Sequence, residues 1–123
     1  MSCPFCDIKK DSIIFDGDNW VGVKDGFPVS EGHTLLIPKR HCETFFDLNN
    51  DELTELVSYC IPTIKEILDG EYHPDGYNIG ANCGTASGQT VMHCHIHIIP
   101  RYNGDVDDPR GGVRGVIPKK QKY

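Results

Sequence analysis

The sequence predicts an α+β fold, an antiparallel sheet of about five strands with one main helix. Three observations lead there. Short β-prone runs bounded by turn residues recur along the chain, and strands of that kind pair antiparallel. A single apolar face repeats at helical spacing between Leu53 and Leu68. No repeat, low-complexity block or linker divides the 123 residues, a length that suits one domain.

Taken in order, Ser12–Phe15 and Trp20–Lys24 flank Asp16-Gly17-Asp18-Asn19, a hairpin signal. His33–Pro38 reads as a third strand, ended by its proline. Asn49-x-x-Glu52 has the form of a capping box. It opens a helix whose Leu53, Leu56, Val57, Cys60, Ile61, Ile64 and Leu68 share one face. Pro62 should kink that helix, because it lacks an amide hydrogen and crowds the preceding turn. Gly70 should stop it. Tyr77–Cys83 and Val91–Ile99 are the last two strands, joined by the loop Gly84–Gln89, and the residues after Pro100 should be extended or loop-like.

Hydrophobic residues make up 38% and charged residues 24%, which excludes global disorder. No apolar run reaches the ~18 residues of a membrane span. The opening MSCPFCDIKKDS is too polar for a signal peptide, so a cytoplasmic protein with no membrane partner is expected. A net charge of −6 argues against attraction to nucleic acid, and no specific nucleic-acid partner is expected. The charge is uneven: residues 101–123 hold 6 bases and 3 acids, and none of the acids lies beyond Pro109. Such a segment is either a solvated basic tail or a local phosphate site.

Six cysteines in such a chain do not imply three disulfides. Cys42, Cys60, Cys83 and Cys94 are isolated and read as small buried side chains. Cys3 and Cys6 form a C-x-x-C knuckle without the preceding strand of a redox motif, which favours half of a zinc site.

The decisive segment is His93-Cys94-His95-Ile96-His97-Ile98-Ile99-Pro100. On a regular strand the three histidines line one face, roughly 6.6–7 Å apart, with Cys94, Ile96 and Ile98 towards the core. The outer two then begin about 13 Å apart, too far to share one metal ion. Two of them can ligate a metal with a third ligand from elsewhere, which leaves a metallohydrolase open. Packing alone does not explain three alternating histidines, since each buried imidazole needs a polar partner.

With Gly88-Gln89-Thr90 before it and Gly32-His33-Thr34-Leu35-Leu36-Ile37-Pro38 upstream, this segment resembles the histidine triad (HIT) family of nucleotide hydrolases and transferases. The resemblance covers nearly the whole chain to about Arg101. Cys3-x-x-Cys6 matches its zinc-bearing branch. The resemblance implies a HIT-like fold paired across a homodimer, with one domain over residues 1–123 and a basic tail over 101–123. It implies hydrolysis at a nucleotide α-phosphate through a nucleotidyl-histidine, releasing a nucleoside monophosphate. The implied substrates are purine nucleotides, either dinucleoside polyphosphates such as diadenosine tetraphosphate or nucleoside phosphoramidates, and the basic tail tips the balance towards polyphosphates. A nucleotidyltransferase and a low-turnover zinc-containing nucleotide-binding protein are the alternatives. By position in the motif, His95 is the nucleophile, His97 assists the leaving group and His33 supports the site. Asp25, Asn82, Gln89 and Thr90 match nucleotide-binding positions, the first at the ribose and the others near the phosphate. Phe5, Ile8 and Phe27 are candidates to wall the base. The implied structural Zn2+ site is Cys3, Cys6, His41 and His93; His73 is a further possible ligand without support from its spacing.

Overall fold

The computed structural model describes residues 3–123. Five strands form one sheet in the order β1-β2-β3-β5-β4: β1 Ile13–Asp16, β2 Trp20–Lys24, β3 Thr34–Pro38, β4 Gly76–Gly80 and β5 Ile96–Arg101. Every neighbouring pair is antiparallel. Residues 34 and 36 of β3 stand opposite 98 and 96 of β5, and Leu35 stands opposite His97. Leu36, Ile96 and Ile98 therefore face the helix, while Leu35 and His97 share the other face.

One helical run spans residues 50–72 as α1 Asn50–Glu55, a π-turn over Leu56–Cys60 and α2 Ile61–Tyr72. The capping box forms: Asn49 Oδ1 accepts from the Glu52 amide, and Glu52 Oε1 accepts from the Asn49 amide. The π-turn lies one turn before Pro62, where the Ile61 amide reaches back to the Leu56 carbonyl. Widening the turn there absorbs the missing donor and the ring clash within a continuing helix. Gly70 does not stop the helix. A mid-helix glycine costs only about 1 kcal/mol, and Tyr72 beyond it packs on the core. The helix ends where His73 turns left-handed at φ 54° before Pro74.

The helix side of the sheet holds the larger core, with Trp20, Leu36, Leu56, Cys60, Ile64, Leu68, Cys94, Ile96 and Ile98 among its buried members. On the opposite face, Val21, Val23, Leu35 and Ile37 are covered by Phe5, Ile8 and Ile13, so the N-terminal segment closes that side. Residues 112–120 are not extended: they make two short 3-10 turns, Gly112–Val116 and Pro118–Lys120. No helix among the described residues is long and apolar enough to cross a membrane.

Candidate functional site

The expected strand Val91–Ile99 begins later, at Ile96, and this changes the geometry of the three histidines. Only His97 lies within β5. From Cys94 onward the alternation holds, with Cys94, Ile96 and Ile98 buried and His95 and His97 partly open. His93 departs from it: the chain bends at residues 91–93 and its ring is fully buried. The Cys94 amide donates to the Cys42 carbonyl at 2.7 Å, clamping this segment to the loop that carries His41. That loop is held in turn by Arg40, whose Nε and Nη2 donate to buried Glu52 at 3.1 and 2.8 Å. The same guanidinium holds the Glu52 carboxyl below its ordinary range.

Hydrogen-bond partners set the proton positions on the rings. His95 Nδ1 lies 2.9 Å from the His93 carbonyl oxygen, which can only accept, so Nδ1 carries the hydrogen and Nε2 keeps a free lone pair. The Val29 amide donates to His33 Nδ1 at 3.1 Å, leaving the ring hydrogen on His33 Nε2. His33 Nε2 then donates to His97 Nδ1 at 2.9 Å, so His97 carries its hydrogen on Nε2. Two neighbouring imidazoles, with ring centres 5.3 Å apart, thus present opposite characters: His95 a lone pair, His97 a donor. Burial pushes the His97 pKa below 6.5, reinforced by the facing His95 and His33 and opposed by Asp25. Burial likewise lowers His33.

Asp25 lies beside this pair, with Oδ2 at 3.3 Å from His33 Nε2 and 4.0 Å from His97 Nδ1. Its Oδ1 accepts from the Phe27 amide. Asp25, His33 and His97 could be read as a two-histidine, one-carboxylate metal set. The donor chemistry opposes that: metal on His33 Nε2 would force its hydrogen onto Nδ1, against the Val29 N–H. Gly32, at φ 88°, sets His33 in place; a Cβ there would come within 2.9 Å of the Tyr72 ring.

A second cluster gathers Cys3, Cys6, His41 and His93, whose ligand atoms all lie within 4.8 Å of one another. His93 Nε2 donates to the Pro38 carbonyl at 2.8 Å, so its Nδ1 turns a lone pair towards the cysteines. Nδ1 of His93 is 3.4 Å from Cys3 Sγ and 3.5 Å from Cys6 Sγ, and His41 Nδ1 is 3.2 Å from Cys6 Sγ. A tetrahedron with Zn–S about 2.3 Å and Zn–N about 2.05 Å has S···N edges of about 3.6 Å. The residues present therefore fit Zn2+. The bend at residues 91–93 removes the conflict that strict alternation would create, because the His93 side chain leaves the face carrying His95. The Cys6 thiol, donating a hydrogen bond to the neighbouring Cys3 sulfur, is held above its ordinary pKa, and a bound cation would offset the charge that deprotonating both brings together.

The remaining candidate residues divide. Asn82 lines a cleft of about 450 Å³ together with His33 and His97. Thr90 is exposed at the end of the glycine loop. Gln89 is buried, and its amide is fully engaged: Oε1 accepts from the Gly84 amide, while Nε2 donates to the Glu43 and Val91 carbonyls. Both of its hydrogens are used to shape the loop, so it presents no donor to a phosphate. Phe5 lies edge-on against the His95 ring at 4.9 Å, and Ile8 packs beside it on the sheet. Phe27 stands 92% exposed. His73 is the helix cap and belongs to neither cluster. Sequence reasoning missed the Val29 amide, the Pro38 carbonyl and the tail residues Val113 and Val116, which also line the cleft. The backbone groups leave no side-chain signal; the closely spaced Gly111, Gly112 and Gly115 were a readable sign of a built turn.

An uncharacterized HIT-like protein of Mycoplasma genitalium is 40% identical over 105 residues, covering 82% of this chain and 74% of that protein. An adenylylsulfatase of Arabidopsis thaliana is 33% identical, covering 84% of this chain and 54% of that protein. An AP-4-A phosphorylase of Mycobacterium tuberculosis is 32% identical, covering 66% of this chain and 42% of that protein. Among solved structures, a histidine triad nucleotide-binding protein of Sulfolobus tokodaii superposes with a TM-score of 0.77 at 33% identity, covering 86% of this chain and 73% of its own. A zinc-bound histidine triad protein of Mycobacterium smegmatis gives 0.75 at 35% identity, covering 85% and 77%. The HIT domain model matches residues 8–104, a span that carries β1 to β5, the helix and all three histidines of the motif, and the chain belongs to the HIT domain family.

Proposed function

We propose that this chain is a nucleotide hydrolase that cleaves at the α-phosphate through a nucleotidyl-histidine on His95, acting on dinucleoside polyphosphates or nucleoside phosphoramidates. The observation that carries this reading is the opposite polarity of the two open rings: a lone pair on His95 Nε2 beside a hydrogen on His97 Nε2. Relatives named for adenylylsulfate and AP-4-A support the substrate class.

The His95 Nε2 lone pair forms a bond to the α-phosphorus, and the phosphorus bond to the leaving atom breaks, its electron pair departing with that atom. The ring becomes cationic, and its Nδ1–H points at the His93 carbonyl, whose dipole stabilises that charge. His97 Nε2 donates a hydrogen bond to the departing atom. A polyphosphate leaves as an anion that is stable at neutral pH. A phosphoramidate nitrogen, once protonated from solvent, leaves as the neutral amine. Water then attacks the phosphorus, the N–P electron pair returns to His95, and one proton passes to solvent as the monophosphate is released. The His33–Val29 contact keeps the His97 hydrogen on Nε2 through both steps. Asp25 and Asn82 border the site and receive the ribose and phosphate. Cys3, Cys6, His41 and His93 would hold Zn2+, which supplies cross-linking of the N-terminal segment to the catalytic loop. The protein works as a cytoplasmic homodimer in this reading, with Val57 and Tyr59 on the helix among the exposed apolar residues available for pairing.

The test is intact-protein mass spectrometry after a brief quench with diadenosine tetraphosphate, comparing the native chain with His95→Gly. An adenylyl adduct on the native chain alone, with monophosphate released, is the expected result. Inverted configuration at phosphorus in the product would refute the covalent route, since two displacements retain it. A stoichiometric nucleotide complex with no turnover would make this a binding protein instead.

A further inference from the structure

The C-terminal turn is built, although its composition reads as a loose tail. Gly111 and Gly112 take φ 90° and 48°, and a Cβ on Gly111 would overlap the Gln121 carbonyl oxygen. A Cβ on Gly115 would come within 2.6 Å of Gln121 Oε1. Arg114 staples the turn from inside, with Nε and Nη2 donating to the Gln121 and Lys120 carbonyls and its guanidinium stacked 4.7 Å over Tyr123. Lys122 and Arg110 pair with Asp108. Arg101 is held by Asp105 and Asn78. Four of the six tail cations, Arg101, Arg110, Arg114 and Lys122, are thus engaged within the turn or beside it.

What the staple holds up is apolar. Val113 is 60% exposed and Val116 76% exposed, and both face the cleft that contains His33, His97 and Asn82. Val29, Ile79, Ala81 and Ile99 complete that apolar lining. The cleft continues the line of β5, from His95 past His97 to Ile99, and so extends to the side of His97 away from His95. In an in-line displacement that is the side on which the leaving group departs. Its volume of about 450 Å³ lies within the range of small-molecule sites. A compact leaving group such as ammonia would leave this wall unfilled.

Resting on the hydrolase reading above, we propose that Val113 and Val116 form a leaving-group wall that selects substrates whose leaving group carries a flat apolar ring. Two sources share that chemistry: the second nucleoside of a dinucleoside polyphosphate, and an aromatic amine of a phosphoramidate. The valines are specificity-determining residues and take no part in bond breaking.

The test measures kcat/KM of the native chain and the V113S/V116S double variant on three substrates: diadenosine tetraphosphate, adenosine phosphoramidate, and its N-arylalkyl derivative. Both positions are exposed, and the parent phosphoramidate reports directly on an intact catalytic centre. The expected result is a fall of about tenfold on one or both ring-bearing substrates, the low end for trimming apolar groups from a pocket, with the parent changed less than about twofold. A fall on the dinucleotide alone identifies the nucleoside as the ring recognised; a fall on the arylalkyl substrate alone identifies the amine. Equal change on all three, or change on none, overturns the wall and leaves the hydrolase reading standing. A native chain that turns over none of the three overturns both.

Discussion

Stripping the metal from the Cys3–Cys6–His41–His93 cluster should loosen the protein by an amount the chain connectivity allows one to work out. Metal bound by Cys6 and His41 closes a loop whose ends are 35 residues apart. In the chain-entropy treatment of a cross-link, closing such a loop lowers the entropy of the unfolded chain by the equivalent of about 4 kcal/mol at 25 °C. The link from Cys3 to His93 spans 90 residues and adds to this only in part, since both clips share one ion. Against a typical total of about 5–15 kcal/mol this is a large fraction. At roughly 4 °C per kcal/mol for a domain of this size, the melting temperature should fall by about 15 °C. The assay is thermal unfolding followed by circular dichroism, with and without a strong chelator, alongside elemental analysis of the purified protein. His41→Ala should reproduce the chelator effect without any chelator present. A shift under about 3 °C, or a protein purified without zinc, would refute the clamp. So would abolition of turnover by chelation in a chain that stays folded, because a metal that only cross-links leaves the chemistry slowed and does not stop it.

His33→Ala removes the donor that holds the His97 hydrogen on Nε2, and kcat should fall about tenfold with little change in KM, the worth of one such hydrogen bond. His33 and His97 both have pKa values lowered by burial, so the unfolded chain binds more protons than the folded one in acid. Their contribution to stability is complete above pH 6.5 and is lost as pH falls below it through their folded values; urea titrations at about pH 7.5 and about pH 5 should show this, with a shallower loss in a His33→Asn/His97→Asn variant. Gly111→Ala forces a side chain into the Gln121 carbonyl and should release the turn, lowering kcat/KM on ring-bearing substrates while the melting temperature moves by only a few degrees.

The legible part of the molecule is the part governed by local pattern. Trp20–Lys24 is a strand over its whole expected length, and His33–Pro38 differs from β3 by one residue. The capping box at Asn49 forms as its spacing requires. Gly70 misled because its intrinsic preference is weak beside the burial of Leu68 and the packing of Tyr72 on either side of it. Pro62 signalled an irregularity in the right place, and the chain meets it with a wider turn just before the proline. The tail was opaque for a different reason. Its structure depends on Arg114 reaching forward and Gln121 reaching back to carbonyls six to eleven residues away, contacts that no periodicity announces.

His93 is where pattern reading had to fail, and the reason bears on how the site works. Strict alternation would place its ring on the face that carries His95, with a zinc site only at the strand's end. The structure turns the residue through the bend at 91–93, so that the side chain faces Cys3, Cys6 and His41. Its carbonyl oxygen remains on the other side, accepting from His95 Nδ1. One residue therefore connects the two clusters: its ring is held by Pro38 and the cysteines, while its backbone sets which nitrogen of His95 is free. A metal ion bound at this cluster would act on the reaction only through that carbonyl, by holding still the acceptor that fixes the His95 tautomer and faces its positive charge once the N–P bond forms. Loss of the ion should then lower kcat through that carbonyl and, because Phe5 lies between Cys3 and Cys6 against the His95 ring, raise KM as well. A residual rate in a folded, metal-free chain marks a positioning role for the cluster, and complete loss of turnover there marks a catalytic one.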